Sequence, residues 1–179
     1  MSINQIIGYV TDKANFKNLG AYSRFCDMYL DFIQDNLQAV IVSQNENQYR
    51  FYQYNEQANF QITRPINANL MYDATTFEYA FRDFISLLAN LHERNSVKEI
   101  KGAGETINRT VYTIQQSIGA ALDALPSGRS NTARKLNGDL FEKLIRLIIK
   151  EIGVDCEAGV MQVPVVIVSC RLRSRSSSR

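Results

Sequence analysis

The sequence predicts an α+β protein, mainly helical, with four principal helices, a β-hairpin near residues 39–54 and a strand begun near residue 160. Three observations carry this. Apolar side chains recur at three- and four-residue steps in four separate stretches, as in helices that bury one face. One short stretch alternates side chains beside a polar turn, as a half-buried strand does. The chain of 179 residues is 45% hydrophobic and 21% charged, which is enough to bury a core and too apolar for disorder to be the default.

The first helix is expected over residues 19–37, where Tyr22, Phe25, Cys26, Tyr29, Phe32, Ile33 and Leu37 form an aromatic core stripe. Ala39-Val40-Ile41-Val42 and residues 48–54 then flank the polar turn Ser43-Gln44-Asn45-Glu46-Asn47 as the two arms of a hairpin. Pro65, Asn67 and Asn69 read as loop. Thr75-Thr76-Phe77-Glu78 has the form of a capping box, in which the Thr75 hydroxyl and the Glu78 carboxylate satisfy each other's backbone donors. The helix it opens should reach residue 91 and bury Phe77, Phe81, Phe84, Ile85, Leu88 and Leu91. The charged stretch 92–101 and Gly102-Ala103-Gly104 interrupt the pattern. A third helix holds Ile107, Val111, Ile114, Ile118, Ala121, Leu122 and Leu125 on one stripe until Pro126-Ser127-Gly128 stops it.

Residues 129–135 read as a basic, polar loop, after which Asn137 caps a fourth helix and Asp139 suits its N-terminal dipole. Leu140, Phe141, Leu144, Ile145, Ile148 and Ile152 are its apolar face, Glu142 and Arg146 ride another face, and Gly153 is a natural stop. Val160-Met161-Gln162-Val163 and Val165-Val166-Ile167-Val168 read as strand around Pro164, which suits an edge. Residues 171–179 are a Ser/Arg tail of low complexity that can bury nothing and should be disordered. The expected organisation is therefore a helical region with its hairpin over 1–128, a helix-plus-strand region over 129–170, and the tail over 171–179.

Composition excludes several classes. No apolar stretch approaches the roughly 20 residues that span a bilayer, and no leader pattern opens the chain, so a cytoplasmic protein away from membranes is expected. Cys26, Cys156 and Cys170 lack paired spacing and the sole histidine, His92, lacks ligand-like neighbours, which argues against zinc and disulfides. No Gly-x-x-x-x-Gly-Lys cradle and no Gly-x-Gly-x-x-Gly follow a strand, so no small-molecule cofactor is expected. A serine or cysteine nucleophile would want a histidine base, and His92 falls at an expected helix end. The net charge of +2 hides an asymmetry: residues 1–93 carry 6 basic and 10 acidic groups, residues 94–150 carry 10 and 5. A surface for a polyanion has to be built locally, from the 94–150 region.

Two features of that region can carry chemistry. Arg129, Arg134 and Lys135, followed by Lys143 and Arg146, can neutralise phosphates, with Ser127, Ser130, Asn131 and Thr132 as neutral donors. Glu142 offers a carboxylate to a hard cation such as Mg²⁺, with Asp139, Asp155 and Glu157 nearby in sequence. The plain alternative is that Glu142 pairs with Arg146 at i,i+4 on a solvated face. The aromatic run Tyr49, Phe51, Tyr52, Tyr54 and Phe60 could stack on bases, although strand aromatics more often cover a core.

Residues 130–159, and above all Lys135-Leu136-Asn137-Gly138-Asp139-Leu140-Phe141-Glu142, resemble the helix that precedes the catalytic sheet in type II restriction endonucleases of the PD-(D/E)xK class. In that class a helix of the form Asn-Gly-x-x-aromatic-Glu donates an acidic residue toward the metal. The resemblance implies a helical N-terminal region leading into the start of a restriction-endonuclease-like α/β core. It implies Glu142 as catalytic and metal-binding residue, Mg²⁺ as cofactor, double-stranded DNA as substrate and a homodimer serving a restriction-modification system, with Arg129, Arg134 and Lys135 as DNA-binding residues. The class then places an Asp and an acid-x-Lys on adjoining strands, where this chain runs into its Arg/Ser tail. The expectation is thus an N-terminal part of such a hydrolase, truncated or frame-shifted before the catalytic acid-x-Lys, its catalytic motif incomplete and its activity in this form left open. The competing expectation is a non-enzymatic helical module that binds DNA or protein.

Overall fold

A computed structural model describes residues 1–36, 38–41, 48–52, 65–67, 70–91, 97–125, 129–153, 156–157 and 160–161. Five helices share one core: α1 (Ile3–Thr11), α2 (Leu19–Asn36), α3 (Ala74–Ala89), α4 (Val97–Asp123) and α5 (Ser130–Glu151), with a single 3₁₀ turn at Lys13–Asn15 between the first two. The protein is mainly helical, as expected. The described residues hold no α/β core.

Sequence reasoning passed over α1. Ser2 caps it, its hydroxyl accepting the Gln5 N–H at 3.4 Å while the Gln5 side chain accepts the Ser2 N–H at 2.8 Å. Ile3, Ile6 and Val10 then fall on one buried stripe. The chain turns through Lys13–Asn15 to Phe16, which is fully buried and gathers the rings of Tyr9 (5.7 Å), Tyr22 (4.8 Å) and Phe25 (5.5 Å). On α2 the expected stripe of Tyr22, Phe25, Cys26, Tyr29 and Phe32 is buried.

The hairpin forms. Strand β1 (Gln38–Ile41) pairs antiparallel with β2 (Gln48–Tyr52), Gln38 opposite Tyr52 and Ile41 opposite Tyr49; the turn between them lies outside the described residues. A third strand, β3 (Pro65–Asn67), corrects the loop expected there: it adds antiparallel to β2, Gln48 opposite Asn67 and Arg50 opposite Pro65. Proline is tolerated because it opens an edge strand and so withholds no interior ladder bond.

Helix α3 starts earlier than Thr75. Asp73 is its cap, accepting the Thr76 N–H at 2.7 Å and the Thr76 hydroxyl at 2.8 Å, while Glu78 pairs with Arg82 on the surface. An ionised carboxylate forms stronger bonds to these donors than a threonine hydroxyl can, so the Thr75–Glu78 box is displaced. Phe77, Phe81, Phe84 and Leu88 are buried as expected, and Ile85 is partly so.

Helix α4 corrects a second boundary, since Gly102-Ala103-Gly104 lies inside it. Glycines weaken a helix without breaking it where packing holds the helix down, and α4 packs against every other helix of the core. Helix α5 corrects a third: residues 130–135 are its first turns, and Asn137 is within it, not at its cap. The reason is burial, because Ala133 and Leu136 extend the stripe of Leu140, Leu144 and Ile148 upstream into the shared core. Gly153, with φ +86°, ends α5 in the left-handed conformation that a glycine stop predicts. Beyond it, β4 (Cys156–Glu157) and β5 (Val160–Met161) form a short antiparallel pair, and the expected strand over 162–168 lies outside the described residues, as does the 171–179 tail.

Candidate functional site

Helix α5 is anchored from within. The buried Tyr22 hydroxyl donates to the Leu140 carbonyl at 2.7 Å, fixing the helix against α2, and burial pushes that phenol up, so the proton it donates is secure. With the core stripe turned inward, the 3.6-residue repeat sends Lys135, Asp139, Glu142, Lys143, Arg146 and Lys150 to one outward arc. Arg134 lies about 100° around the helix from Lys135, on a flank with Gly138 and Ile145.

Both acids of the arc are engaged by cations. Glu142 is largely exposed and accepts from Arg146 through Nε at 3.1 Å and Nη2 at 2.6 Å, both on the same carboxylate oxygen. Asp139 is bonded by Lys13, which reaches across from the 3₁₀ turn, and Lys143 approaches the Lys13 carbonyl at 3.5 Å. The Lys13 hydrogen bond, then the charges of Lys13 and Lys135, hold the Asp139 carboxyl below its usual range. Lys13 is a member of this surface that sequence reasoning missed; nothing local in the sequence brings residue 13 beside residue 139.

Arg129, Arg134 and Lys135 are all exposed, and none makes an ion pair among the described residues. Arg129 sits at the foot of α5, where no side chain caps the helix, and Ser130, Asn131 and Thr132 expose its first turn. Its unsatisfied N–H groups add positive potential at that end. The net sign of the arc and its foot is cationic.

The opposite sign gathers on α2 and α3. Burial, then repulsion from Asp31 and Glu78, raises the Asp27 carboxyl above its ordinary range. A polyanion would be repelled there and accepted along α5.

Other candidates fall away or lie out of reach. Cys26 is buried, and its thiol is pushed up by that burial, which disqualifies it as a nucleophile. His92, Asp155 and Cys170 lie outside the described residues, and Tyr49, Phe51 and Tyr52 are described only as strand backbone. Among the described residues, no group of three or more His, Cys, Asp or Glu is placed to hold a metal ion. No helix among them is long and apolar enough to cross a membrane.

No protein-family model and no curated protein matches the chain. Among solved structures, its fold is similar to the crystal structure of the type IIP restriction endonuclease Kpn2I, with a TM-score of 0.59 and 16% sequence identity. The likeness covers 98% of this chain and 57% of that one, so this chain spans little more than half the length of its structural neighbour. At that identity the fold is what the two share.

Proposed function

We propose that this chain is the helical part of a type II restriction endonuclease and holds double-stranded DNA along α5. The observation that carries the reading is the likeness of fold to Kpn2I over 98% of the chain. The exposed cations Arg129, Arg134 and Lys135, none in an ion pair among the described residues, support it, because backbone phosphates are neutralised by solvent-facing basic groups. In this reading the protein works as a homodimer on a duplex, in the cytoplasm, within a restriction-modification system.

Mg²⁺ and the role of Glu142 belong to the same proposal and rest on the resemblance of the α5 motif. The described residues do not by themselves fit the ion. Mg²⁺ asks for octahedral oxygen ligands, whereas Glu142 is held by Arg146 and Asp139 by Lys13. That same ion pair favours a second reading, a DNA-binding module without cleavage. Plasmid incubation with and without Mg²⁺, for wild type and Glu142→Ala, separates them. Metal-dependent cutting that disappears in the variant supports the enzyme; duplex binding that weakens steeply with salt, without cutting, supports the module. A protein that neither cuts nor binds duplex DNA would overturn both.

A further inference from the structure

We infer that Arg109 of α4, seated over the ring of Tyr72, takes a phosphate group; this rests on the reading of the chain as DNA-binding for the source of that phosphate, a backbone phosphodiester. The sequence sets a glutamate four residues ahead of an arginine three times on the described helices: Glu78 and Arg82, Glu105 and Arg109, Glu142 and Arg146. The first and the last close into ion pairs on the surface. The middle one does not. Glu105 is exposed and makes no ion pair among the described residues, and the Arg109 guanidinium lies over Tyr72 instead, its carbon 4.1 Å from the ring centre.

The platform under Arg109 belongs to the fold. Tyr72 is buried, its backbone N–H donates to the Thr113 hydroxyl at 3.0 Å, and that hydroxyl donates in turn to the Arg109 carbonyl at 2.9 Å. Ring and arginine are thereby tied to the same turn of α4. A cation over an aromatic face outweighs an exposed i,i+4 pair, which accounts for the lean toward Tyr72. It does not account for what the pose leaves unmet. Arg109 Nε and the Oγ1 of the next residue, Thr110, are both buried with no hydrogen-bond partner among the described residues, and no acid among them pairs with the guanidinium. Asp73, beside Tyr72 in the chain, is occupied by the α3 cap. A half-buried cation without a counter-charge is costly to hold, and an anion at its open edge removes that cost. Arg82 and Arg146 find their anion within the fold; Arg109 has to receive one. A guanidinium offers its donors as a fixed fork that matches phosphate oxygens, and the Tyr72 ring limits the motion of that fork before a ligand arrives. The basic excess of residues 94–150, in which Arg109 lies, favours the phosphate of a polyanion over an isolated carboxylate.

The test compares wild type, Arg109→Gln, Arg109→Lys and Glu105→Gln in two arms, both without divalent metal. One arm is anisotropy of a labelled short DNA duplex over a range of salt; the other is thermal melts in inorganic phosphate against chloride at matched ionic strength. Arg109→Gln should weaken duplex binding about tenfold and reduce the salt slope by about one, as for a lost phosphate contact. Arg109→Lys keeps the charge without the fork, so it should keep the slope and lose affinity about threefold. Phosphate should raise the wild-type melting temperature by about 2 °C over chloride, and this gain should vanish in Arg109→Gln. Glu105→Gln should melt within about 1 °C of wild type. Wild-type affinity and slope in Arg109→Gln, or wild-type affinity in Arg109→Lys should the glutamine variant fail to fold, would overturn the inference and leave α5 as the DNA surface. A clear fall in the melting temperature of Glu105→Gln would also overturn it, by showing Glu105 to be the partner of Arg109. If wild type binds no duplex yet keeps a phosphate gain that Arg109→Gln lacks, the ligand is a free phosphate: the site stands and the reading of α5 falls. With neither duplex binding nor a phosphate gain, both fall.

Discussion

Tyr22 shows how one side chain serves two demands. Its ring is fully buried among Phe16 and its neighbours, and its hydroxyl is satisfied by the Leu140 carbonyl, so α2 and α5 are held in register by a bond out of reach of water. Tyr22→Phe keeps the ring and deletes the bond; it should cost about 1–2 kcal/mol in urea denaturation, and an unchanged midpoint would show that the hydroxyl contributes nothing. The Glu142–Arg146 pair is of another kind. It is exposed, spaced at i,i+4 and worth only a few tenths of a kcal/mol. Its spacing is visible in the sequence, so the pairing was legible there. Lys13 and Asp139 lie 126 residues apart, and no local pattern announces their meeting.

At the scale of elements, periodicity located the helices and misplaced their ends. The stripes on α2, α3, α4 and α5 were readable because apolar spacing reports directly on which face is buried. The ends depend on competition among donors and acceptors, and on packing. Asp73 took the cap of α3 from Thr75, and this is testable. Asp73→Ala should cost about 1 kcal/mol at neutral pH while Thr75→Ala changes stability little, measured by urea denaturation. Thr76, through its backbone N–H and then its hydroxyl, lowers the Asp73 carboxyl below its ordinary value, so the folded state binds the ionised form better. The Asp73→Ala difference should therefore be full above the unfolded value of roughly 3.9 and fade as pH falls through the lower folded value. Helix α1 was legible in hindsight, since Ser2-x-x-Gln5 before Ile6 and Val10 is a capping signature ahead of an apolar stripe. The first turns of α5 were harder, because Arg134 and Lys135 look like loop until Ala133 and Leu136 are seen entering the core.

Across the whole molecule, charge is sorted by surface: acids on α2 and α3, available cations on α5. Asp27 marks the cost on the acidic side. Burial, Asp31 and Glu78 raise its carboxyl, so the folded state prefers it protonated, and stability declines as pH rises through the folded value. Asp27→Asn should raise the melting temperature at neutral pH, with the gain shrinking toward about pH 3, where the wild-type carboxyl is already protonated. A variant no more stable than wild type at neutral pH would refute this account. The excess of basic groups over residues 94–150 was apparent from the sequence, but where that charge emerges on the surface was not.

The sequence by itself determined the helical class, the buried stripes, the hairpin and the glycine stop of α5, because each follows from side-chain spacing or from the conformational needs of one residue. Only the tertiary structure decided that Lys13 joins the α5 arc beside Asp139, and that Arg134 and Lys135 stand exposed on the first turns of a helix whose other face enters the core. Those outcomes depend on how α5 is turned about its own axis. That rotation is fixed by the core it shares with α2, α3 and α4, through Leu136, Leu140, Leu144 and Ile148, and no stretch of chain contains that core by itself.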